Sequence, residues 1–256
     1  MIPESEPVKA PTDVRVGCCG LPLSLREYVR LFRVVEVQQT FYQPPAARTL
    51  AKWRAQVPPV FEFTVKAWQL VTHEANSPTY RRLREPLSEQ EKRETGAFRA
   101  TAPVQRAWQR TLEAARILQS QAILLQCPAS FRPTSENKEN LRSFIRRIRS
   151  DVQAGPQQGK ITLVWEPRGE WNLEEVAELC LELGLVHGVD PLQQTPATPG
   201  LGYFRLHGRT GYRHRYSDAE LEELRVRARA FTPCYVLFNN IAMREDARRF
   251  QELIQN

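Results

Sequence analysis

The sequence predicts an α/β fold, a single-domain (β/α)8 TIM barrel, from three observations. Short apolar runs alternate with amphipathic stretches along the whole chain, which is typical of a parallel sheet with helical crossovers. Eight such units fit in 256 residues, the usual size of one barrel. After the first strand, Gly17-Cys18-Cys19-Gly20 does not match the glycine-rich phosphate loop of an open doubly wound sheet. We therefore favour the closed barrel over that alternative.

The eight predicted strands are short and mostly apolar, and amphipathic helices separate nearly all of them. The strands are expected at residues 14–18, 34–38, 61–66, 122–127, 161–166, 185–189, 203–207 and 234–238. The helices are expected at residues 25–32, 49–56, 104–119, 135–149, 173–183, 218–230 and 246–254. Ser135 and Ser217 are predicted N-caps, and Gly184 is a predicted C-cap.

Two stretches depart from the regular alternation. Residues 68–102 form a long insertion after the third strand, and residues 191–201 contain three prolines that break the expected sixth helix. In a barrel both stretches lie at the carboxyl ends of the strands, where substrate loops belong. Residues 151–160 resemble a linker on the opposite face.

Composition and charge limit the class of protein. The chain carries a formal charge of +7, from thirty arginines and six lysines against 29 acids, with 41% hydrophobic residues. These are globular values, which exclude a disordered or fibrous chain, and no apolar stretch is long enough for a membrane helix. The acidic start and the five cysteines predict a cytoplasmic protein with reduced thiols. We expect a disordered tail at 1–13, a barrel domain at 14–256, and an anionic partner but no membrane.

Charged residues occupy one parity of several predicted strands, so they are expected to face the barrel axis. The residues expected to converge are Glu36, Lys66, Glu166, Arg205 and His207. One interpretation is a closed ion-pair network in which Glu36 and Glu62 neutralise Arg205 and Lys66. The other is ligand binding or catalysis, because charges at the carboxyl ends of barrel strands are usually functional.

Further polar residues follow the ends of the strands and are candidates for ligand binding. They are Gln38, Thr40, Tyr42, Trp68, His73, Arg168, Arg209, Tyr212, Tyr216, Asn239 and Asn240, with Asp190 as a further acid–base candidate. Tyrosine, tryptophan and arginine together can stack on bases or sugars and hold phosphates. Taken singly, each of these residues also fits local packing or a turn.

Several sequence blocks resemble the DUF72 (YecE-like) family. They are Val35-Glu36-Val37-Gln38-Gln39-Thr40-Phe41-Tyr42, Phe63-Thr64-Val65-Lys66-Ala67, Trp165-Glu166-Pro167-Arg168, Tyr203-Phe204-Arg205-Leu206-His207-Gly208 and Val236-Leu237-Phe238-Asn239-Asn240. The resemblance spans roughly residues 14–253 and implies a TIM barrel, but no settled activity. Barrels of this family are similar in shape to those of the endonuclease IV and xylose isomerase group, which suggests nucleic acid or sugar phosphates as ligands.

The chain departs from the family where many members have G-T-S-G-W, since it has Gly17-Cys18-Cys19-Gly20. Cys18, Cys19 and Cys127 are weak candidates for a soft metal or an iron–sulfur cluster, because adjacent cysteines are poor ligands for one tetrahedral ion. The alternatives are inert buried thiols or one reactive thiol.

Three functions remain open on the sequence alone. The first is an enzyme on a phosphate-containing substrate, most plausibly nucleic acid, in which Lys66, Arg168, Arg205 and Arg209 hold phosphate. Glu166, Asp190 and His207 would then be acid–base groups or ligands of one divalent ion. The second is a metal-free isomerase or lyase on a small sugar phosphate, with Lys66 and His207 as acid and base. The third is a non-catalytic binding protein.

Overall fold

A computed structural model describes residues 13–153 and 159–255 of the chain. Its eight strands are all parallel and form a closed barrel in sequence order, with β8 paired to β1. The strands are β1 (Val14–Cys19), β2 (Val34–Val37), β3 (Glu62–Lys66), β4 (Ala122–Gln126), β5 (Thr162–Glu166), β6 (Val186–Val189), β7 (Gly202–Leu206) and β8 (Cys234–Phe238). The predicted (β/α)8 barrel is confirmed.

Helices surround the barrel and follow most of the strands. They are α1 (Leu25–Tyr28), α2 (Gln39–Tyr42), α3 (Ala47–Ala55), α4 (Gln69–Thr72), α5 (Glu89–Glu94), α6 (Ala102–Leu118), α7 (Ser135–Gln153), α8 (Leu173–Leu183), α9 (Asp218–Ala228) and α10 (Met243–Gln255). No helix of the described residues is long and apolar enough to cross a bilayer.

Two apolar layers hold the barrel together, and strand alternation decides which layer a side chain joins. On β3, Phe63 and Val65 pack into the outer layer, between the strands and the helices. The inner layer lies inside the barrel and consists of Cys19, Val34, Ala122, Leu124, Val164, Tyr203, Tyr235 and Leu237. The opposite parity of β3, Glu62, Thr64 and Lys66, therefore turns towards the axis.

The helix ends follow from local chemistry. Ser217 caps α9 in a capping box with Glu220, and Gly184 ends α8 with a φ of 67°, a left-handed conformation that favours glycine. The predicted cap at Ser135 is wrong. Ser135 is the first helical residue, and Oγ1 of Thr134 instead accepts a hydrogen bond from the backbone N–H of Asn137 at 3.2 Å.

The two irregular stretches lie where they were expected. Residues 68–102 fold into α4, a short 3-10 helix at Pro78–Arg82, and α5, ahead of α6. Residues 191–201 contain no helix. The expected linker at 151–160 begins inside α7, which extends to Gln153, and its residues 154–158 lie outside the described residues. The predicted tail at 1–13 also lies outside them, except for Asp13.

Candidate functional site

Arg205 on β7 is the centre of the polar cluster inside the barrel. Its side chain is 1% exposed. Nε and Nη2 donate to the Glu36 carboxylate at distances of 2.7 to 3.1 Å, and Nη1 donates to Oε2 of Glu166 at 2.6 Å. Burial alone would lower the pKa of the guanidinium, but the two carboxylates hold it well above its ordinary value. Arg205 is therefore a fixed positive charge between two acids.

Glu36 on β2 is fully buried and held from several sides. The hydroxyl of Tyr203 donates to its Oε2 at 2.8 Å and lies 2.9 Å from Oγ1 of Thr64, and the side-chain amide of Gln38 also donates to the carboxylate. Burial raises the pKa of Glu36, and the Arg205 charge more than offsets this, so the pKa lies below its ordinary value. Glu36 is ionised and has no free oxygen for proton transfer.

Glu166 ends β5 and links the buried centre to the rim. Besides Arg205, its carboxylate contacts Nη2 of Arg168 at 2.7 Å and accepts from Nε2 of Gln126 at 2.9 Å. Burial raises the pKa of Glu166, but the charges of Arg205 and Arg168 bring it well below its usual range. Gln126 was not among the candidates, although it ends β4 on the same parity as the inward-facing Ala122 and Leu124.

The imidazole of His207 lies directly after β7 and meets two arginines. Its Nε2 is 2.6 Å from Nη2 of Arg168 and 3.2 Å from Nη1 of Arg205, whereas Oε1 of Glu166 is 3.3 Å away. A guanidinium only donates, so Nε2 acts as an acceptor and the ring proton belongs on Nδ1. The side-chain amide of Asn239 lies beside Nδ1, with its nitrogen Nδ2 at 3.0 Å. Exchanging the amide nitrogen and oxygen, which share one shape, lets the oxygen accept the Nδ1 proton.

Burial lowers the pKa of His207, and the neighbouring guanidinium of Arg205 adds to this effect. The ring is therefore neutral, with its basic nitrogen already occupied by donors. This arrangement does not favour the predicted role of His207 as an acid or base while Arg168 stays in place.

Lys66 at the end of β3 differs from Glu36, Glu166 and Arg205 in its partners, because it forms no ion pair within the described residues. Lys66 is 6% exposed. Nζ donates to Oε1 of Gln126 at 2.6 Å and lies 3.8 Å from the centre of the Phe41 ring. Among the described residues, no carboxylate forms an ion pair with it. Burial, with the charge of Arg205 as the next cause, lowers the pKa of Lys66 to about 7.

A cavity of about 300 Å³ opens beside the cluster at the carboxyl ends of β5, β6 and β7. Its wall includes Glu166, Arg168, Asp190, Gln193, His207 and Arg209. Asp190 is bound to the wall itself, since its carboxylate accepts from the backbone N–H groups of Leu192 and His207 at 3.1 and 3.0 Å. Burial raises the pKa of Asp190. The cavity has the size and polar wall that suit a small hydrophilic ligand.

The expected pairing of Glu62 with the central cations is wrong. Glu62 begins β3, and its carboxylate accepts from Arg15 at 2.8 Å and from the Tyr235 hydroxyl at 2.6 Å. Lys66 lies four residue steps further along the strand, which is about 13 Å at about 3.3 Å per residue. Glu166 takes the place assigned to Glu62, and Lys66 has no carboxylate partner within the described part of the chain.

Three buried candidates bond to the local framework instead of facing the mouth. Thr40 donates to the carbonyl oxygen of Val37 and lies 2.7 Å from that of Lys66. The Tyr216 hydroxyl accepts from the N–H of Gly208, and Asn240 donates to Asp246 at 2.7 Å. These contacts hold turns in place, and the ligand-binding role predicted for these three residues stays a prediction.

The remaining candidates lie around the rim or the insertion. His73 stacks edge-on against Phe41 and has a pKa lowered to about 3 by burial, so its ring is neutral. Tyr42 packs under Arg82, and Trp68 lines a separate cavity against α6. Arg209 pairs with Glu223 at 2.6 Å, and Tyr212 is 59% exposed.

The candidate metal ligands do not come together. Cys18 and Cys127 belong to the outer apolar layer and Cys19 to the inner one, because neighbouring strand residues point to opposite faces. Burial raises the pKa of Cys18 to about 12 and that of Cys127 further. Within residues 13–153 and 159–255, no group of three His, Cys, Asp or Glu side chains is placed to hold an ion. Arginines and backbone N–H groups surround Glu166 and Asp190 instead.

The closed ring of parallel strands, with charged side chains gathered at its carboxyl end, defines this chain as a TIM-barrel protein. The family model of DUF72, described as a protein of unknown function, matches residues 20–256. The chain therefore belongs to the DUF72 family. A comparison with curated proteins gave no match.

Solved structures share the fold across nearly the whole chain. A DUF72 family protein from Enterococcus faecalis V583 is 20% identical with a TM-score of 0.68, covering 97% of this chain and 99% of that one. A DUF72 family protein from Thermotoga maritima MSB8 is 23% identical with a TM-score of 0.62, covering 95% and 99%. A xylose isomerase domain containing protein from Salmonella typhimurium LT2 is 12% identical with a TM-score of 0.57, covering 96% and 98%. Because the sequence identities are this low, these similarities show a shared fold and nothing about activity.

Proposed function

We propose that this protein is an enzyme that moves a proton on a small hydroxy-carbonyl compound of the sugar or sugar phosphate class. Lys66 is the proton acceptor. The observation that carries this proposal is the buried amine of Lys66, which has no carboxylate partner in the described structure and a pKa of about 7. A neutral amine of that pKa is an efficient base near neutral pH, whereas an ordinary lysine is not.

The groups around Lys66 have positioning roles in this proposal. Gln126 accepts from Nζ and donates to Glu166, so it fixes the direction of the amine. Arg205 and Glu166 are locked in ion pairs and supply a fixed field. The cavity of about 300 Å³, whose wall includes Glu166 but not Lys66, offers Arg168, Asp190 and Gln193 to the hydroxyl or phosphate groups of a substrate. That volume suits one small molecule.

A non-catalytic binding protein would need no free base. Glu36, Glu166, Arg168 and Arg205 form one ion-pair network, which by itself fits a purely structural or binding role. Lys66 lies outside this network, and burying an unpaired amine costs stability. The Lys66 amine lowers stability and forms no ion pair within the described residues, which favours the catalytic hypothesis over the binding hypothesis.

Isotope exchange tests this proposal across a whole class of compounds at once. The protein is incubated in D2O with a panel of aldoses, ketoses, their phosphates and sugar acids, and proton NMR follows the carbon-bound hydrogen next to each carbonyl. We expect at least one compound to lose this signal faster with wild type than with Lys66→Met, by about 100-fold or more.

Lys52→Met is the matched control, because Lys52 is an exposed residue of α3. It should exchange at the wild-type rate. A panel in which no compound exchanges faster with wild type than with Lys66→Met would contradict the proposal.

Nucleic-acid binding is a second candidate, favoured by the loop that follows β7. Tyr212 is 59% exposed, and Arg213 and Arg215 beside it are exposed as well. An aromatic ring can stack on a base, and the arginines beside it can hold phosphates.

Fluorescence anisotropy with a labelled single-stranded oligonucleotide tests this candidate. The affinity should fall about tenfold between about 50 and 200 mM salt. Arg213→Ala should weaken binding and Arg147→Ala on α7 should not; a flat salt response would count against this candidate.

A further inference from the structure

The charged groups at the centre of the site balance one another without Lys66. Arg205 pairs with Glu36 at 2.7 Å and with Glu166 at 2.6 Å, and Arg168 pairs with Glu166 at 2.7 Å. Two guanidinium groups thus face two carboxylates. Their charges sum to zero, and both carboxylates are already held by these partners.

Among the described residues, the titratable and charged groups that act most strongly on the Lys66 amine belong to that balanced set or are neutral. These groups come from five elements around it: Cys19 on β1, Glu36 on β2, His73 after α4, Glu166 on β5 and Arg205 on β7. Burial keeps the Cys19 thiol and the His73 ring uncharged. An ammonium on Lys66 would therefore be a buried positive charge without a counter-ion.

We infer that the site is built to receive one negative charge beside Lys66, and that this charge forms on the substrate during the reaction. The inference rests on the proposed function and deepens it. The hydroxy-carbonyl group of the substrate enters uncharged, its carbon–hydrogen bond breaks, and the proton moves to Nζ. The electron pair of that bond forms a carbon–carbon double bond, and the carbonyl π electrons move to oxygen. The products are an enediolate and its counter-ion, the Lys66 ammonium.

This charge balance distinguishes ionised from neutral ligands of equal size. A carboxylate beside Lys66 imitates the enediolate and supplies the missing counter-ion, so its binding is coupled to protonation of the amine. An amide of the same shape supplies no charge and is not coupled. Glycolate and glycolamide form such a pair and are the probes.

Lysine NMR measures the coupling directly, because the chain has only six lysines. The protein is labelled with ¹³C at lysine Cε, and Lys66→Arg assigns the Lys66 signal by its loss. Excess glycolate should raise the midpoint of the Lys66 titration by one pH unit or more. Glycolamide should leave it unchanged. An unchanged midpoint in glycolate overturns the inference, whether glycolate fails to bind or binds without coupling.

Affinity gives a second, independent measurement. Above the midpoint of free Lys66, wild-type affinity for glycolate should fall about tenfold per pH unit, since the protonated fraction falls by that factor. Lys66→Arg keeps its charge at every accessible pH and should bind glycolate with no such dependence, and Lys52→Met should behave as wild type. Wild-type affinity that is independent of pH would contradict the inference.

The outcomes separate the inference from the proposed function. A Lys66 midpoint above 9 in the free protein would remove the neutral base and with it the proposed function. A Lys66 midpoint near 7 that glycolate does not shift, together with isotope exchange that requires Lys66, would contradict only the inference. The proposed function would still hold.

Discussion

Arg205 and Glu36 lie on strands that are not neighbours, yet they form a bidentate ion pair inside the barrel. Nε and Nη2 of the guanidinium reach the carboxylate at 2.7 to 3.1 Å, and both side chains are almost fully buried. The pair connects β2 with β7 through the interior, in addition to the hydrogen bonds around the ring. Its loss affects the fold as well as the site.

Arg205→Met should destabilise the protein strongly. The substitution leaves Glu36 and Glu166 as buried carboxylates without their main counter-ion, and breaking a buried pair in this way typically costs about 3–5 kcal/mol. Chemical denaturation at neutral pH measures the change. Adding Glu36→Gln to Arg205→Met should recover part of the loss, because it removes one of the stranded charges. A single variant as stable as wild type would show that the pair contributes nothing.

Much of the fold and part of this cluster could be predicted from the sequence. The alternation of strands and helices predicts the barrel, and the parity of polar residues on β3 and β7 correctly turns Lys66 and Arg205 inward. The same parity applies to Gln126, the one polar residue of β4, and to Tyr203, whose aromatic ring counts as hydrophobic in the pattern; both were missed. Their roles depend on partners from other strands, which sequence spacing does not reveal.

Residues beyond the strand ends were harder to predict. Parity fixes the direction of a side chain only while the chain remains extended. After β2 the chain turns directly into α2, and the Thr40 hydroxyl bonds to backbone carbonyls. After β8, Asn240 turns away towards Asp246. Position along the strand mattered as well, since Glu62 and Lys66 share a parity but lie at opposite ends of β3.

Lys66→Met should make the protein more stable at pH 7. The lysine pKa falls from an ordinary 10.5 to about 7 in the folded protein, so between these values the unfolded chain binds more protons than the folded one. Stability from this group therefore rises with pH from about 7 to 10.5 and is lowest, and constant, below 7. Removing the amine abolishes this cost, which is on the order of a few kcal/mol at pH 7.

Denaturation curves at pH 7, 8.5 and 10 provide the check. The advantage of Lys66→Met over wild type should be largest at pH 7 and should shrink towards pH 10, and Lys52→Met should show neither effect. A gain that is independent of pH would mean that Lys66 is not neutral in the folded protein. In this pattern Lys66 lowers the stability of the fold and supplies the base of the proposed function.

Glu166→Gln should lower the pKa of Lys66 further. The substitution removes a negative charge near Nζ and leaves the charges of Arg205 and Arg168 unbalanced, so protonating the amine becomes less favourable. Lysine Cε NMR would show the Lys66 midpoint at a lower pH than in wild type. Glu62→Gln is the matched control, because it removes a carboxylate from the far end of the same strand as Lys66 and should leave the midpoint in place. Equal shifts in both variants would contradict this arrangement.

Arg168→Ala should convert His207 into a group that titrates closer to neutral pH. In wild type the guanidinium of Arg168 occupies Nε2 at 2.6 Å and adds a positive charge, both of which oppose protonation of the ring. Without it, only Nη1 of Arg205 at 3.2 Å still approaches Nε2 as a donor, and Oε1 of Glu166 at 3.3 Å can accept a proton from the imidazolium. The pKa of His207 should therefore rise, and imidazole NMR of the four histidines would record it.

Arg209→Ala, which removes a cation paired with Glu223, should leave the His207 titration unchanged. Because Arg168 is 39% exposed, thermal unfolding should change little, so a shift reports on the ring's surroundings and not on a disturbed fold. A His207 titration that is the same in both variants would show that Arg168 does not keep the ring neutral.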